Sequence, residues 1–263
     1  MSQPLLVACI DLVGVQAHLV EEGTSALEHH SSSDGMMLQT LHQAIDGLLA
    51  QCDNAPRAVS VCLSGLVDPN RGIILDARRV LWLDLPLAEF VSTQYDLPVC
   101  VDNEAALIAR ALDPQGQKRL VVLHSNPFLE VGLALRGQYH HSLELPSVSL
   151  LSVLPPAAPP LTCALALRRM GLRRDNADED ALDRLDTLSQ DLSEVMFWVI
   201  HLLRPAEIWL SGWLSDIGSP LLEQLNRRLL NDMPEHASCS LHLANTDELR
   251  LRGAWLHALA RGL

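Results

Sequence analysis

The chain has 263 residues, a length that suits two lobes of roughly 100–150 residues each. Hydrophobic residues make up 48%, enough for sizeable cores and outside the range of disordered chains. Lys and Arg number 19 against 32 Asp and Glu, a net charge of −13, so the chain repels nucleic-acid phosphates and direct DNA or RNA binding is not expected.

No apolar stretch approaches the roughly 20 residues needed to span a bilayer. The longest, residues 195–203, is interrupted by His201. The N-terminus lacks a basic region, and Asp11 breaks its apolar run, so no signal peptide is expected and the reading is cytoplasmic. The six cysteines (Cys9, Cys52, Cys62, Cys100, Cys163 and Cys239) show no CxxC spacing, which points to free buried thiols rather than a disulfide framework.

In chain order, residues 4–12 and 13–21 read as strands with Gly14 near a hairpin turn, and 31–35 as a polar loop. Met37, Leu41, Ile45 and Leu48 recur at helical spacing, which predicts a helix over 35–52. A strand is expected at 58–63, then a turn at Asp68-Pro69-Asn70-Arg71-Gly72 and a short returning strand at 73–75. Residues 86–95 read as a helix, 98–101 as a buried strand, and 103–112 as a helix stopped before Pro114. Strands follow at 119–124 and 131–136. Residues 154–160 carry four prolines in seven positions and read as a loop. A long helix is predicted over 178–203, with Leu185, Leu188, Leu192, Val195, Val199 and Leu202 as its apolar face. A strand at 207–210, a turn at Gly212, a helix at 220–231, a strand at 240–244 and a terminal helix at 247–261 complete an α/β succession. Spacing alone establishes no internal repeat.

Residues 58–112 carry a resemblance to a known family. Gly65, Val67 and Asp68 fit a Pro-Gly-Pro-Val-Asp turn. Trp82, Asp84, Pro86 and Leu87 fit an Asn-containing loop that closes on Trp and opens a helix. Leu97, Pro98 and Val99 lead a strand into Asn103 and Ala105, which fit an Asn-Asp-Ala site motif. This order and spacing resemble the ROK family of sugar kinases and sugar-responsive repressors. Weaker matches lie in Ile10-Asp11-Leu12-Val13-Gly14, in Pro205, Ile208, Ser211, Gly212 and Leu214, and in Gly253-Ala254.

The resemblance implies a two-lobe actin-like ATPase fold of ribonuclease H-like α/β topology with an interlobe cleft. The expected division is residues 1–113 plus 247–263 in one lobe and 114–246 in the other. In the family, the sugar lies in the cleft and ATP phosphates meet the hairpin turns. Carried over residue by residue, Asp11 and Glu104 are the catalytic candidates. Ser64, Gly65, Asp76, Arg79, Asn103 and Glu104 are the ligand-binding candidates, and Gly14, Gly132 and Gly212 the nucleotide-binding ones.

Phosphoryl transfer needs a positioned carboxylate, Mg²⁺ and backbone amides around the phosphates. At the base position this chain has Glu104 instead of Asp. The extra methylene moves the oxygens by about 1 Å, an error that can cost about 100-fold. The other reading of Glu104 is an exposed or N-cap-region acid at a helix start, favoured by the dipole. The second phosphate turn falls near residues 126–130, where Pro127 removes an amide and Glu130 adds negative charge. The family's Gly-Glu-x-Gly-His sugar motif aligns with residues 148–152, which lack both the acid and the His, and Cys163 alone cannot hold a structural zinc.

No cofactor and no zinc are therefore expected, with ATP and Mg²⁺ entering only under a kinase reading. The His29-His30 and His140-His141 pairs are adjacent in sequence, and adjacent loop residues rarely converge on one ion. The first strand is expected from residue 4, which leaves no helix-turn-helix ahead of it. The expected role is a catalytically impaired sugar-kinase homologue that senses a sugar or sugar phosphate and acts through a homodimer or a regulatory protein partner. Trp198, Trp209 and Trp213 are candidates for such a contact, or for core packing. The alternative is an active hexose or amino-sugar kinase using Glu104 as base.

Overall fold

The structure is a computed structural model that describes residues 3–11, 14–33, 36–126, 128–141, 145–149, 179–232 and 239–263. The chain divides into two compact units, Met1–Pro114 with Asp247–Leu263, and Gln115–Thr246.

The first unit is built on a five-stranded sheet. β1 (Leu5–Ile10), β2 (Gly14–Glu21) and β3 (Thr24–Ser32) form an antiparallel meander. β4 (Ala58–Leu63) and β8 (Val99–Asn103) extend it in parallel, giving the order β3-β2-β1-β4-β8. The run of β1, Leu-Leu-Val-Ala-Cys-Ile, is buried at every position, as a strand covered on both faces requires. Alternate residues serve alternate cores. Leu6, Ala8 and Ile10 meet α1 (Met37–Leu49) and α2 (Leu87–Tyr95). Leu5, Val7 and Cys9 meet α3 (Glu104–Leu112) and the terminal helix α7 (Thr246–Ala260). A small antiparallel sheet of β5 (Leu66–Asp68), β6 (Ile73–Ala77) and β7 (Trp82–Leu85) follows β4, with a short 3-10 turn at Arg78–Val80.

The second unit repeats the same plan. β9 (Arg119–Ser125), β10 (Phe128–Leu135) and β11 (Gln138–His141) form an antiparallel meander. β13 (Glu207–Gly212) and β14 (Ser240–Leu243) extend it in parallel, while β12 (Leu145–Ser149) pairs with β10. The core is closed by α4 (Glu179–Leu203), the short α5 (Trp213–Ile217) and α6 (Ser219–Asp232).

Several sequence expectations need correction. The polar loop expected at 31–35 begins two residues late, because Ser31 and Ser32 pair with Val15 and Gly14 as the end of β3. β3 and β7 are strands the residue pattern does not reveal. β3 carries few apolar residues, since it lies at a sheet edge and is exposed at every second position. On α4 the buried face runs through Leu185, Leu188, Leu192, Met196 and Ile200, whereas Leu202 is 75% exposed. A 3.6-residue period continues from 192 through 196 to 200, leaving 202 on the opposite side. The region read as a phosphate turn is strand from Phe128 onward, with Glu130 opposite His124 in register. Pro127, the loop at 154–160, Cys163 and most of the 148–152 motif lie outside the described residues.

Candidate functional site

Three parallel strands of the first unit end at the same level, because Ile10 pairs with Leu63 and Leu63 with Asn103. Their carboxyl ends deliver Asp11, Ser64 with Gly65, and Asn103 with Glu104 to one edge. This is where open α/β sheets place ligands. The register thus brings together most of the residues singled out from the sequence, although they span more than 90 positions.

Their side chains are already engaged. Asn103 is fully buried and caps α3, its Oδ1 accepting from the amides of Ala105 at 2.8 Å and Ala106 at 3.3 Å. Its Nδ2 donates to the Gly65 carbonyl at 2.8 Å. Gly65 has φ of +140°, and a Cβ there would stand 2.8 Å from the Asp76 carbonyl oxygen, so only glycine fits this turn.

Glu104 is the first residue of α3, next to its Asn103 cap, and is 0% exposed, so of the two helix-start readings the exposed one is corrected and the cap-region one stands. Arg250 of α7 donates from Nη1 to Glu104 Oε1 at 2.9 Å, and Ser64 Oγ donates to Oε2 at 3.2 Å. Arg250 itself is nearly buried and also donates to Gln16 Oε1 and to Asp247 Oδ1, each at 3.0 Å. A buried acid survives ionised only with such a partner. Nothing local in the sequence marks Arg250 as that partner, because the contact joins residues 146 apart. Beneath the pair, Cys62 Sγ donates to Cys9 Sγ at 2.9 Å. Burial, and then the neighbouring Cys9, push the Cys62 thiol well above its ordinary range, the state of an unreactive thiol.

Asp11 closes the β1–β2 turn. Its Oδ1 accepts from the Gly14 amide at 3.0 Å and its own amide donates to the Gly14 carbonyl at 3.0 Å. A Cβ on Gly14 would collide with the Ser31 carbonyl oxygen, so this glycine serves the contact of β2 with β3. Asp76 accepts from Arg78 Nε at 3.2 Å in a solvent-facing pair, and Arg79 lies in the 3-10 turn.

In the second unit, Gly132 is interior to β10, between Val122 and His141, and does not form a turn. Gly212 does turn, with φ of +67°, but its amide donates to Thr246 Oγ1 at 2.7 Å. A Cβ there would collide with the Ser125 carbonyl oxygen. Glu130 is fully buried, and His124 Nδ1 lies 2.7 Å from Ser211 Oγ. Within its own unit, each of the Gly212 amide and the Asp11 carboxylate thus carries an internal bond.

Of the tryptophans, Trp198 is 64% exposed beside Phe197. Trp209 stacks on His242 and donates to Glu207, and Trp213 packs against the core. Among the described residues, no group of three or more His, Cys, Asp or Glu side chains is placed to hold a metal ion. Nor is any described helix long and apolar enough to cross a membrane.

A sheet of this order built twice is the fold of the actin-like ATPases, here with acidic residues at the parallel-strand ends of the first unit. The family model described as the ROK family matches residues 8–122, the part of the chain that carries the first unit's sheet. The fold is shared along its length. A ROK glucokinase from Streptomyces griseus, solved with glucose and AMPPNP, aligns at TM-score 0.77 and 17% identity over 99% of this chain and 100% of that one. A ROK transcriptional regulator homologous to the E. coli MLC protein aligns at TM-score 0.72 and 17% identity, over 98% of this chain and 78% of that one. In sequence, a protein of Caldicellulosiruptor sp. assigned as a xylose repressor is 38% identical over 47 residues, 18% of this chain and 12% of the repressor. Kinases and repressors thus both stand among the relatives.

Proposed function

We propose that this chain is a sugar-responsive regulatory protein of the ROK family that no longer performs phosphoryl transfer. One observation carries the reading. The carboxylate at the base position, Glu104, is buried and held by Arg250 at 2.9 Å and Ser64 at 3.2 Å. A general base must reach the hydroxyl proton it removes. Releasing Glu104 to do so would leave Arg250 and Glu104 as separated buried charges, an arrangement that costs about 3–5 kcal/mol.

The ligand of this reading is a small sugar or sugar phosphate, bound at the strand ends near Ser64, Gly65, Asp76 and Asp11. The output passes to a protein partner or a second copy of the chain. The setting is the cytoplasm, in keeping with free thiols at Cys9, Cys52, Cys62, Cys100 and Cys239.

The second reading is an ATP-dependent hexose or amino-sugar kinase with Glu104 as base. What favours it is that Asp11 and Glu104, the two carboxylates such a reaction needs, stand at the ends of strands joined through β4. Calorimetry of the purified chain against a panel of hexoses and amino sugars, with and without ATP–Mg²⁺, separates the two when run beside a coupled kinase assay. Sugar binding without turnover is the expected result. Turnover at about 1–100 per second, the ordinary kinase range, overturns it.

A further inference from the structure

The C-terminal half of α4 is apolar on two sides. Leu185, Leu188, Leu192, Met196 and Ile200 face the core of the second unit. Away from that row stand Phe197 at 38% exposure, Trp198 at 64% and Leu202 at 75%, with exposed His201 among them. Steps of three and four residues keep these side chains on one side of the helix, together with Glu194. Exposed apolar residues are ordinary when single, but a contiguous group marks a contact surface.

The group is held in place before any partner arrives. The Phe197 and Trp198 rings meet edge to face with centroids 5.6 Å apart, and the Phe197 and His201 rings lie 4.1 Å apart. His201 Nδ1 is 2.7 Å from the Phe197 carbonyl oxygen. Side chains already ordered lose little freedom when they are covered. A tryptophan at the middle of such a patch is the usual anchor of a protein contact.

The charges beside the stripe indicate what covers it. Glu194 lies one turn before Trp198. Arg204 follows the last turn, its amide donating to the Ile200 carbonyl at 2.9 Å. Both side chains are exposed, and neither is in an ion pair or side-chain hydrogen bond among the described residues. Each stands five residues from position 199, about 7.5 Å along the axis. Two such helices crossing antiparallel at that position bring Glu194 of each copy level with Arg204 of the other, on both sides of the aromatic centre. Parallel pairing would set Glu194 against Glu194. The stripe is therefore complementary to itself about a two-fold axis, the relation of an isologous dimer. Each chain carries a net charge of −13, but at about 0.15 M salt that repulsion is screened beyond about 8 Å, which leaves the local pairs to act.

We propose that this face of α4 is a self-association surface, on which two copies pack antiparallel through Phe197, Trp198 and Leu202 with Glu194–Arg204 pairs at both ends. The proposal rests on the functional reading above only in naming the second copy as the partner. A single helix face is at the small end of specific interfaces, which places the dimer in the micromolar range.

The test is sedimentation velocity of the full chain without sugar, from about 1 to 200 µM at about 0.15 M salt. A monomer–dimer equilibrium is expected in this range. Trp198→Ala weakens it by at least about 30-fold. Glu194→Arg and Arg204→Glu each weaken it, and the two together restore it to within about threefold of the natural chain. Phe90→Ser, at an aromatic 49% exposed on α2 of the first unit, leaves it unchanged. A chain that stays monomeric throughout overturns the proposal and leaves the face to a different partner. So does a dimer that Trp198→Ala leaves intact, a double charge swap that fails to restore association, or an equal loss in Phe90→Ser. Circular dichroism confirms the fold of each variant; should Trp198→Ala unfold, the charge swaps decide. Because no sugar is present, failure here leaves the sugar reading standing, and absence of sugar binding leaves this surface standing.

Discussion

Arg250 on the terminal helix donates to Glu104, 146 residues earlier, at 2.9 Å. The pair ties α7 to the start of α3, so the carboxylate that resembles a catalytic base acts as an internal anchor. Removing the cation alone leaves a buried charge without compensation. Arg250→Met is therefore expected to destabilise the first unit by about 3–5 kcal/mol in denaturant unfolding. Glu104→Gln costs less, because Arg250 retains Asp247 and Gln16. Replacing both by methionine recovers most of the Arg250→Met loss, and a double-mutant cycle over the four proteins measures the coupling.

Gly253 faces the same helix junction. A Cβ at this position would collide with the Leu107 carbonyl oxygen, so α7 lies against α3 more closely than a side chain permits. Alanine favours an isolated helix by about 0.8–1.0 kcal/mol over glycine. In this setting the sign reverses, and Gly253→Ala is expected to destabilise by about 1–3 kcal/mol. Thermal unfolding checks it, and an unchanged or raised melting temperature would show that the two helices can separate without loss.

Much of this fold was legible from residue patterns, and the reason is burial. β1, β4 and β9 are covered on both faces, so they read as apolar runs between Pro4 and Ile10, at Ala58–Leu63 with Ser60 the one polar residue, and around Leu120–Leu123. β3 and β7 were not legible, since one is an exposed edge and the other a four-residue piece. The repeated strand plan of the two units left no mark in residue identity, because backbone pairing repeats without repeating side chains. At the site, Asp11, Asn103 and Glu104 were found because each follows an apolar strand. Their partners were not, since Arg250 meets Glu104, and Cys62 meets Cys9, only through tertiary packing and strand register. A buried charge needs a partner, but the sequence does not say which of several arginines supplies it.

Asp102, one residue before the Asn103 cap, gives the first unit a pH dependence. Burial raises its pKa from 3.8 to about 6, against the opposing bond from the Asn103 amide and the charges of Arg110 and Arg261. His257 Nδ1 lies 3.5 Å from Asp102 Oδ2, but burial and then Arg110 and Arg261 lower its pKa to about 3, so the two form no ion pair near neutrality. A raised carboxyl pKa means the folded state binds the proton more tightly. The resulting stability is fully present below about pH 4 and is lost as pH rises through about 6, a swing of up to about 3 kcal/mol for two units. His257 acts in the opposite direction, losing its contribution as pH falls below 6.5. Asp102→Asn removes only the carboxyl part. Its stability relative to the natural chain is expected to rise by up to about 3 kcal/mol between about pH 4 and pH 7 in urea titrations. A difference that stays flat over this range would mean that Asp102 is ionised throughout.

Asn103 tests whether the strand-end residues serve ligand or scaffold. Its Oδ1 caps α3 through two amides, and its Nδ2 fixes the Gly65 carbonyl at 2.8 Å. Asn103→Ala loses the cap, about 1 kcal/mol, and leaves buried amides and a carbonyl without partners at a further cost of about 1–3 kcal/mol. Asn103→Ser keeps an N-cap oxygen but not the bond to Gly65, so its stability is expected to fall between those of the natural chain and the alanine variant. Because Gly65 follows Ser64, and Ser64 donates to Glu104, loosening this bond also relaxes the hold on Glu104. If Asn103 is scaffold, sugar affinity follows stability through the three proteins, measured by urea unfolding and calorimetry on the same samples. If it contacts the sugar directly, the serine variant stays largely folded yet loses binding as fully as alanine does.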